Sequence, residues 1–368
     1  MTSPVYFADL RAKPNVNLVD KVKGLLEAVD LPARVKARAL VAVKLHFGEP
    51  GNTAYVRPVF VRKVVDTIKE AGGLPFLTDA NTLYVGSRSD SVAHLTAAIL
   101  NGVTYSVVDA PLIIADGLRG GNEKAVTVNL KRFKKVYIGS EIARADAIVS
   151  VAHFKGHELS GFGGTIKNLG MGCASRKGKL AQHSTVSPKV KRKKCEGCGD
   201  CVDYCAQKAI ALFDEKAKID RKKCVGCGEC IIVCPNQAIQ IQWDQDIPAF
   251  LESMVEYTAG VLKGKEDSSI FLNFITQVSP ACDCYSHSDA PVVPDIGFVA
   301  STDPVAIDQA SADLVNNAEG LKNSCLTKNF KPGEDKFRAL YPNVDWEIQL
   351  EYAEAIGLGT RAYELVKI

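Results

Sequence analysis

A chain of 368 residues is too long for one small redox module and long enough for two or three structural units. Its 46% hydrophobic and 24% charged residues exclude a disordered or fibrous chain, and a net charge of +3 gives no reason to expect nucleic acid as a partner. No apolar run approaches the roughly 20 residues of a spanning helix, and the start lacks a basic-then-apolar leader, so a cytoplasmic protein without a membrane partner is expected.

The first half alternates strand-like and helix-like runs. Leu40–Leu45 is short and apolar, as a buried strand requires. From Pro58 to Ala71, Val61, Val64, Val65 and Ile68 recur at helical spacing, and Gly72-Gly73 stops the helix. Leu74–Leu77 reads as the next strand, Ser91–Leu100 as a helix and Ala147–Val151 as a further strand. The style changes near Pro188: a basic run, Lys189–Lys194, leads into dense cysteine. The alternation resumes with a helix at Ile247–Val261, strands at Ile270–Ile275 and Ile296–Ala300, and a helix from Pro304 to about Val315 capped by Thr302 or Asp303. The expected fold is therefore α/β with a largely parallel sheet. That domain is discontinuous (1–190 and 243–368) around an inserted ferredoxin-like α+β module at 191–242.

The insert carries an internal repeat. Cys195-x-x-Cys198-x-x-Cys201-x-x-x-Cys205 is followed by Cys224-x-x-Cys227-x-x-Cys230-x-x-x-Cys234, and each half opens on Lys-Lys. Three thiolates at this spacing hold one 4Fe–4S cluster while the fourth reaches across to the other. One cluster is thus expected on Cys195, Cys198, Cys201 and Cys234, the second on Cys224, Cys227, Cys230 and Cys205. Structural zinc sites pair cysteines across longer gaps, which argues against zinc. The basic stretches before each half offset cluster charge or offer a docking patch to an acidic redox partner.

Other residues with site chemistry fall outside the insert. Lys44, His46 and Asn52 lie at or just past the Leu40 strand, and Asp79, Asn81 and Arg88 past the Leu74 strand. Ligands of open α/β sheets bind beyond such strand ends. In Ser160–Gly170, the glycines Gly161, Gly163 and Gly164 precede a helix start, with Lys167 and Asn168 following. Free N–H groups there suit a phosphate or other anion, although a tight strand-to-helix connection would use the same residues. His153, Lys155 and His157 alternate and would share one face of an extended segment. His46, His153 and His157 are the proton-transfer candidates. Cys282-x-Cys284 can hold a metal or form a redox couple, but two ligands do not complete a site, so ordinary thiols are the expected reading.

Together, Lys44–Asn52, Thr78–Arg88, His153–Gly172, Cys282–Tyr285 and Asp303–Asp308, with the cysteine module between, resemble a family of uncharacterised iron–sulfur centre proteins whose activity is not settled. Gly161–Asn168 is locally similar to the glycine-rich stretch of lactate racemase-type proteins, which use a nickel pincer cofactor. That likeness implies a cofactor or active-site role for the turn.

The functional expectation is an electron-transfer protein or oxidoreductase whose two clusters relay electrons from a redox protein or small-molecule donor. The acceptor would be a cofactor or a small anionic substrate in the α/β cleft. A flavin, FMN or FAD, would convert single electrons into two-electron chemistry, though no flavin fingerprint is present. The alternatives are a non-redox assembly or isomerase-like protein with structural clusters, and an electron-delivery subunit of a larger complex.

Overall fold

The structure, a computed structural model, describes residues 2–183, 188–224, 226–241 and 246–368. Eight strands make one sheet: β1 (Ser3–Asp9), β2 (Leu40–Leu45), β3 (Leu74–Asp79), β4 (Leu112–Ile114), β5 (Ala147–His153), β6 (Ser269–Ile275), β7 (Gly297–Ser301) and β8 (Tyr363–Lys367). They lie in the order β8-β1-β7-β6-β5-β2-β3-β4. Only β7 runs against its neighbours, β1 and β6; every other pair is parallel. The fold is α/β with a largely parallel sheet. Its strands come from both sides of the cysteine segment, and the expected boundary at 242 falls outside the described residues.

The central strands β5 and β6 are buried at every position, as parallel strands covered on both faces must be. Alternation along β2 sends Val41, Val43 and Leu45 to one face and Ala42 to the other. The first face packs on α1 (Leu18–Ala28) and α2 (Pro58–Glu70), through Val22, Leu25, Val61, Val64 and Val65. The opposite face packs on α4 (Thr165–Gly170), α6 (Ile247–Leu262) and α7 (Pro304–Asn317). Between α2 and α4 in chain order lies α3 (Ser91–Leu100); α5 (Arg176–His183) follows α4. Each fully buried Val or Leu contributes roughly 1.5–3 kcal/mol of transfer free energy, opposed by chain entropy. Helix ends follow their sequence signals: Asn17 and Asp20 form a capping box on α1, and Asp303 caps α7 with proline behind it.

Among the described residues, the cysteine segment contributes no strand to this sheet. Ile210–Phe213 pairs antiparallel with Lys216–Ile219, and Lys189–Val190 with Ile239–Gln240. Its own small core gathers Cys195, Cys201, Ile210, Ile231 and Ile239, together with Leu83 and Leu180 from the larger body. Those two leucines join the module to the sheet domain.

Candidate active site beside the cysteine module

The neighbouring parallel strands β3, β2, β5 and β6 all end on one side of the sheet. The loops that follow them, with α4 and α5, enclose a cavity of about 170 Å³. Ligand sites of open α/β sheets form at such strand ends because divergent loops leave a crevice there.

A buried polar network makes its floor. Lys44 on β2 places Nζ 3.1 Å from Asp79 Oδ1 and 2.8 Å from Asn168 Oδ1. Asn168 in turn donates to Lys44 O and Ser150 Oγ, so it is held from both ends. Burial opposes charge on Asp79, but Lys44 and His94 outweigh it and hold the carboxyl well below the usual range. Gly172 lines the same floor because a Cβ there would lie 2.5 Å from Lys44 Nζ.

Arg88 closes one side. Its Nε donates to Glu49 Oε2 at 2.6 Å, and Nη2 donates to Tyr84 OH at 3.0 Å. His46 Nδ1 accepts from Gly48 N at 2.9 Å, so Nε2 carries the proton. That Nε2 is shut from solvent and has no hydrogen-bond partner among the described residues. Burial and the nearby Arg88 charge push the His46 pKa well below its ordinary value, so a neutral N–H donor faces the cavity.

The opposite wall is the Cys282–Tyr285 turn, closed by Tyr285 N donating to Cys282 O. Asp283 anchors it. One carboxylate oxygen lies 2.8 Å from His153 Nδ1, the other 3.2 Å from Lys155 Nζ, and Asp283 O accepts from Glu49 N. With the middle residue clamped inward, Cys282 and Cys284 on either side line the cavity. Lys167 Nζ donates to Cys282 Sγ at 3.4 Å, and Cys284 N donates to the same sulfur at 3.4 Å. A hydrogen bond from the Cys284 thiol holds Cys282 well below the ordinary thiol range; burial opposes this, and Lys167 and His157 reinforce it. The Cys284 thiol is displaced upward by the same contact and by burial. Burial works against charge on Lys167 too, but the two sulfurs prevail and raise its pKa.

Several expected site residues have other work. His153 does not face the cavity: its Nε2 lies 2.8 Å from Thr276 O and its Nδ1 on Asp283, so both ring nitrogens are engaged and the histidine positions the Cys-x-Cys turn. His157 does line the cavity; backbone N–H groups of Leu159 and Ser160 donate to its Nδ1, and its Nε2 lies 3.7 Å from Glu158 Oε2. Asn52 donates to Tyr285 O and His287 O, and Asn81 to Asp116 and Gly117; both pin loops behind the wall. The expected anion seat at the start of α4 is already filled, because Asp308 accepts from Thr165 N and Ile166 N at 2.7 and 2.9 Å. Gly164 leaves room for that carboxylate, Gly161 abuts Trp346, and a Cβ on Gly163 would meet the Lys167 side chain at 3.0 Å. The glycine-rich turn therefore supplies clearance, and Lys167, Lys44 and Arg88 supply the charge. Lys179 and His183, one turn apart on the same face of α5, carry no sequence signal for the site, and the Cys-x-Cys pair, expected to be ordinary thiols, lines the cavity with them.

In the module, Cys195, Cys198, Cys201 and Cys234 surround one small space, and Cys205, Cys224, Cys227 and Cys230 another. Among the described residues, no three His, Cys, Asp or Glu side chains converge as a single bound ion requires. Backbone N–H groups aim at the sulfurs in matching positions: Ala209 N at Cys205 and Ala238 N at Cys234, both 3.2 Å. The second space is the one nearer the cavity. A Cβ on Gly228, beside Cys227, would meet Leu83 Cδ1 at 3.2 Å, and Leu83 lines the cavity. Arg176 on α5 ties the two bodies with a 2.9 Å ion pair to Glu229.

Among solved structures, the chain is similar to the lactate racemase apoprotein from Thermoanaerobacterium thermosaccharolyticum, with 14% identity and a TM-score of 0.40, over 75% of this chain and 51% of that one. A Thermotoga maritima protein from a structural genomics programme matches at 10% identity and a TM-score of 0.41, over 92% and 59%. The chain thus spans a little over half the length of either. No curated protein matches. Residues 41–313, well over half of the sequence, match the family described as "Domain of unknown function (DUF362)", and the chain belongs to that family.

Proposed function

We propose that the chain is an iron–sulfur oxidoreductase in which two 4Fe–4S clusters relay electrons to a small anionic substrate in the cavity. The observation that carries this reading is the arrangement of the eight cysteines: three from one half and one from the other line each of two spaces. Four sulfurs set around a space, with backbone N–H groups directed at them, suit a four-iron cube better than a single ion. Such clusters supply one electron at a time. Contact of Leu83 with Gly228 makes the Cys205/Cys224/Cys227/Cys230 site the one adjoining the cavity.

The chain's own residues suggest the substrate's chemistry. Lys44, Lys155, Lys167 and Arg88 outnumber the carboxylates Asp79 and Glu158 in the cavity lining, Lys179 adds a group whose pKa burial lowers to about 8, and His46 offers a neutral N–H. An anion of a few heavy atoms matches that lining. About 170 Å³ lies below the roughly 300–1,000 Å³ of pockets that enclose drug-sized ligands, which favours a small acid over a whole flavin nucleotide.

The test is a redox titration of anaerobically purified protein followed by visible absorption and electron paramagnetic resonance. Two reversible one-electron reductions are expected, with the signal of the nearer cluster altered when small carboxylates fill the cavity. Clusters that do not reduce reversibly would overturn the redox reading in favour of a structural role.

A further inference from the structure

We propose that Cys282 and Cys284 are a dithiol–disulfide couple in the cavity wall, with Cys282 the attacking thiolate and Cys284 the resolving thiol, acting on a small anionic disulfide. Nothing in the relay described above uses these two side chains. Geometry carries the assignment. The turn from Cys282 to Tyr285 folds the chain back within three residues, and the clamp on Asp283 by His153 and Lys155 fixes its orientation. Cys282 Sγ then lies 3.4 Å from each of two donors, Lys167 Nζ and Cys284 N, in a wall that His157 also lines. A sulfur so placed is stabilised as an anion, and its downward pKa displacement agrees. Cys284 keeps its proton, as a resolving thiol must until the first exchange has occurred.

Cys282 thiolate attacks one sulfur of R–S–S–R, the S–S bond breaks and R–S⁻ leaves. Cys284 gives up its proton, attacks Cys282 Sγ in the mixed disulfide and releases the second R–S⁻, one of the two leaving thiolates taking that proton. One disulfide is reduced to a thiol and a thiolate, and the Cys282–Cys284 pair is oxidised. Its return to thiolate and thiol takes two electrons and one proton, and only this return rests on the electron relay proposed above. Lys167 and Arg88 favour an anionic disulfide over a cationic one, because both face the space that the substrate must enter.

The experiment uses reduced full-length protein with two disulfides of similar size and opposite charge, dithiodiglycolate and cystamine. The rate of Cys282–Cys284 oxidation is read by alkylation and mass spectrometry of the peptide that contains both. Dithiodiglycolate should react on the order of tenfold faster than cystamine, and Lys167→Met should erase most of that preference. Cys284→Ser should stop at a mixed disulfide on Cys282, and Cys282→Ser should leave Cys284 unmodified. The proposal is overturned if the pair reacts no faster than the exposed Cys325, if Cys284→Ser gives no adduct, or if the thiols react only after a chelator strips a metal from them. The exchange needs no iron, so its failure leaves the cluster reading intact, and iron-free protein that still reacts would separate the two in the other direction.

Discussion

Replacing Lys44 with methionine probes the cavity floor and its electrostatics together. Lys44 and Asp79 form a 3.1 Å pair with side chains only 1% and 3% exposed, and Lys44 also donates to Asn168. Methionine keeps the volume and removes the charge, which strands a buried carboxylate. Breaking one side of such a pair costs about 3–5 kcal/mol. His94 Nε2, 3.6 Å from Asp79 Oδ2, remains as a partial partner, so a loss near 3 kcal/mol at pH 7 is expected, about a hundredfold in the folding constant. The pH dependence follows from Asp79. In the parent its folded pKa is depressed below the unfolded value of about 3.9, so its stabilisation is present above that pH and lost only as pH falls through the folded pKa. In the variant burial is no longer opposed by Lys44, the folded pKa rises above the unfolded one, and protonation relieves the strain as pH falls. The gap between parent and Lys44→Met should therefore narrow from pH 7 to pH 5. Urea unfolding of anaerobic protein, followed by far-ultraviolet circular dichroism at both pH values, measures it. A loss below about 1 kcal/mol, or a gap equal at the two pH values, would refute this account of the floor.

Three further outcomes follow from the same geometry. Excising 191–242 and rejoining the ends with a short linker should leave a protein that unfolds cooperatively with the same sheet content, since all eight strands lie outside that segment; loss of cooperative melting would show that the sheet needs the insert. Gly172→Ala should lower stability by about 1–3 kcal/mol, because its Cβ would crowd Lys44 Nζ and Asn168 O, and an unchanged melting temperature would contradict that packing. Cys205→Ser should disturb the paramagnetic signal of the cluster assigned to Cys224, Cys227 and Cys230 while sparing the other; equal damage to both would break the crossed assignment.

Most of the sheet was legible because burial on both faces imposes continuous apolar runs, as at Leu40–Leu45 and Ser269–Ile275. The outer strands Ser3–Asp9 and Tyr363–Lys367 are not legible in this way: partly exposed positions interrupt them, and they pair across opposite ends of the chain. At the site, strand-end position sufficed to locate Lys44, His46, Asp79 and Arg88. It does not tell which side chain faces inward: His153, Asn52 and Asn81, at equivalent positions, make loop contacts instead of lining the cavity. Spacing alone could not show that Asp308, more than a hundred residues downstream, fills the N–H groups of Thr165 and Ile166. Nor could two cysteines reveal Lys167, which the fold brings to Cys282, or His157 in the same cavity wall.

Iron and acid-labile sulfide per chain, in protein purified without oxygen, test the central claim most directly. Two 4Fe–4S clusters require about eight of each, with the broad visible absorption of cubane clusters. Native protein that carries zinc and no sulfide, or about four iron and four sulfide when fully loaded, would contradict it.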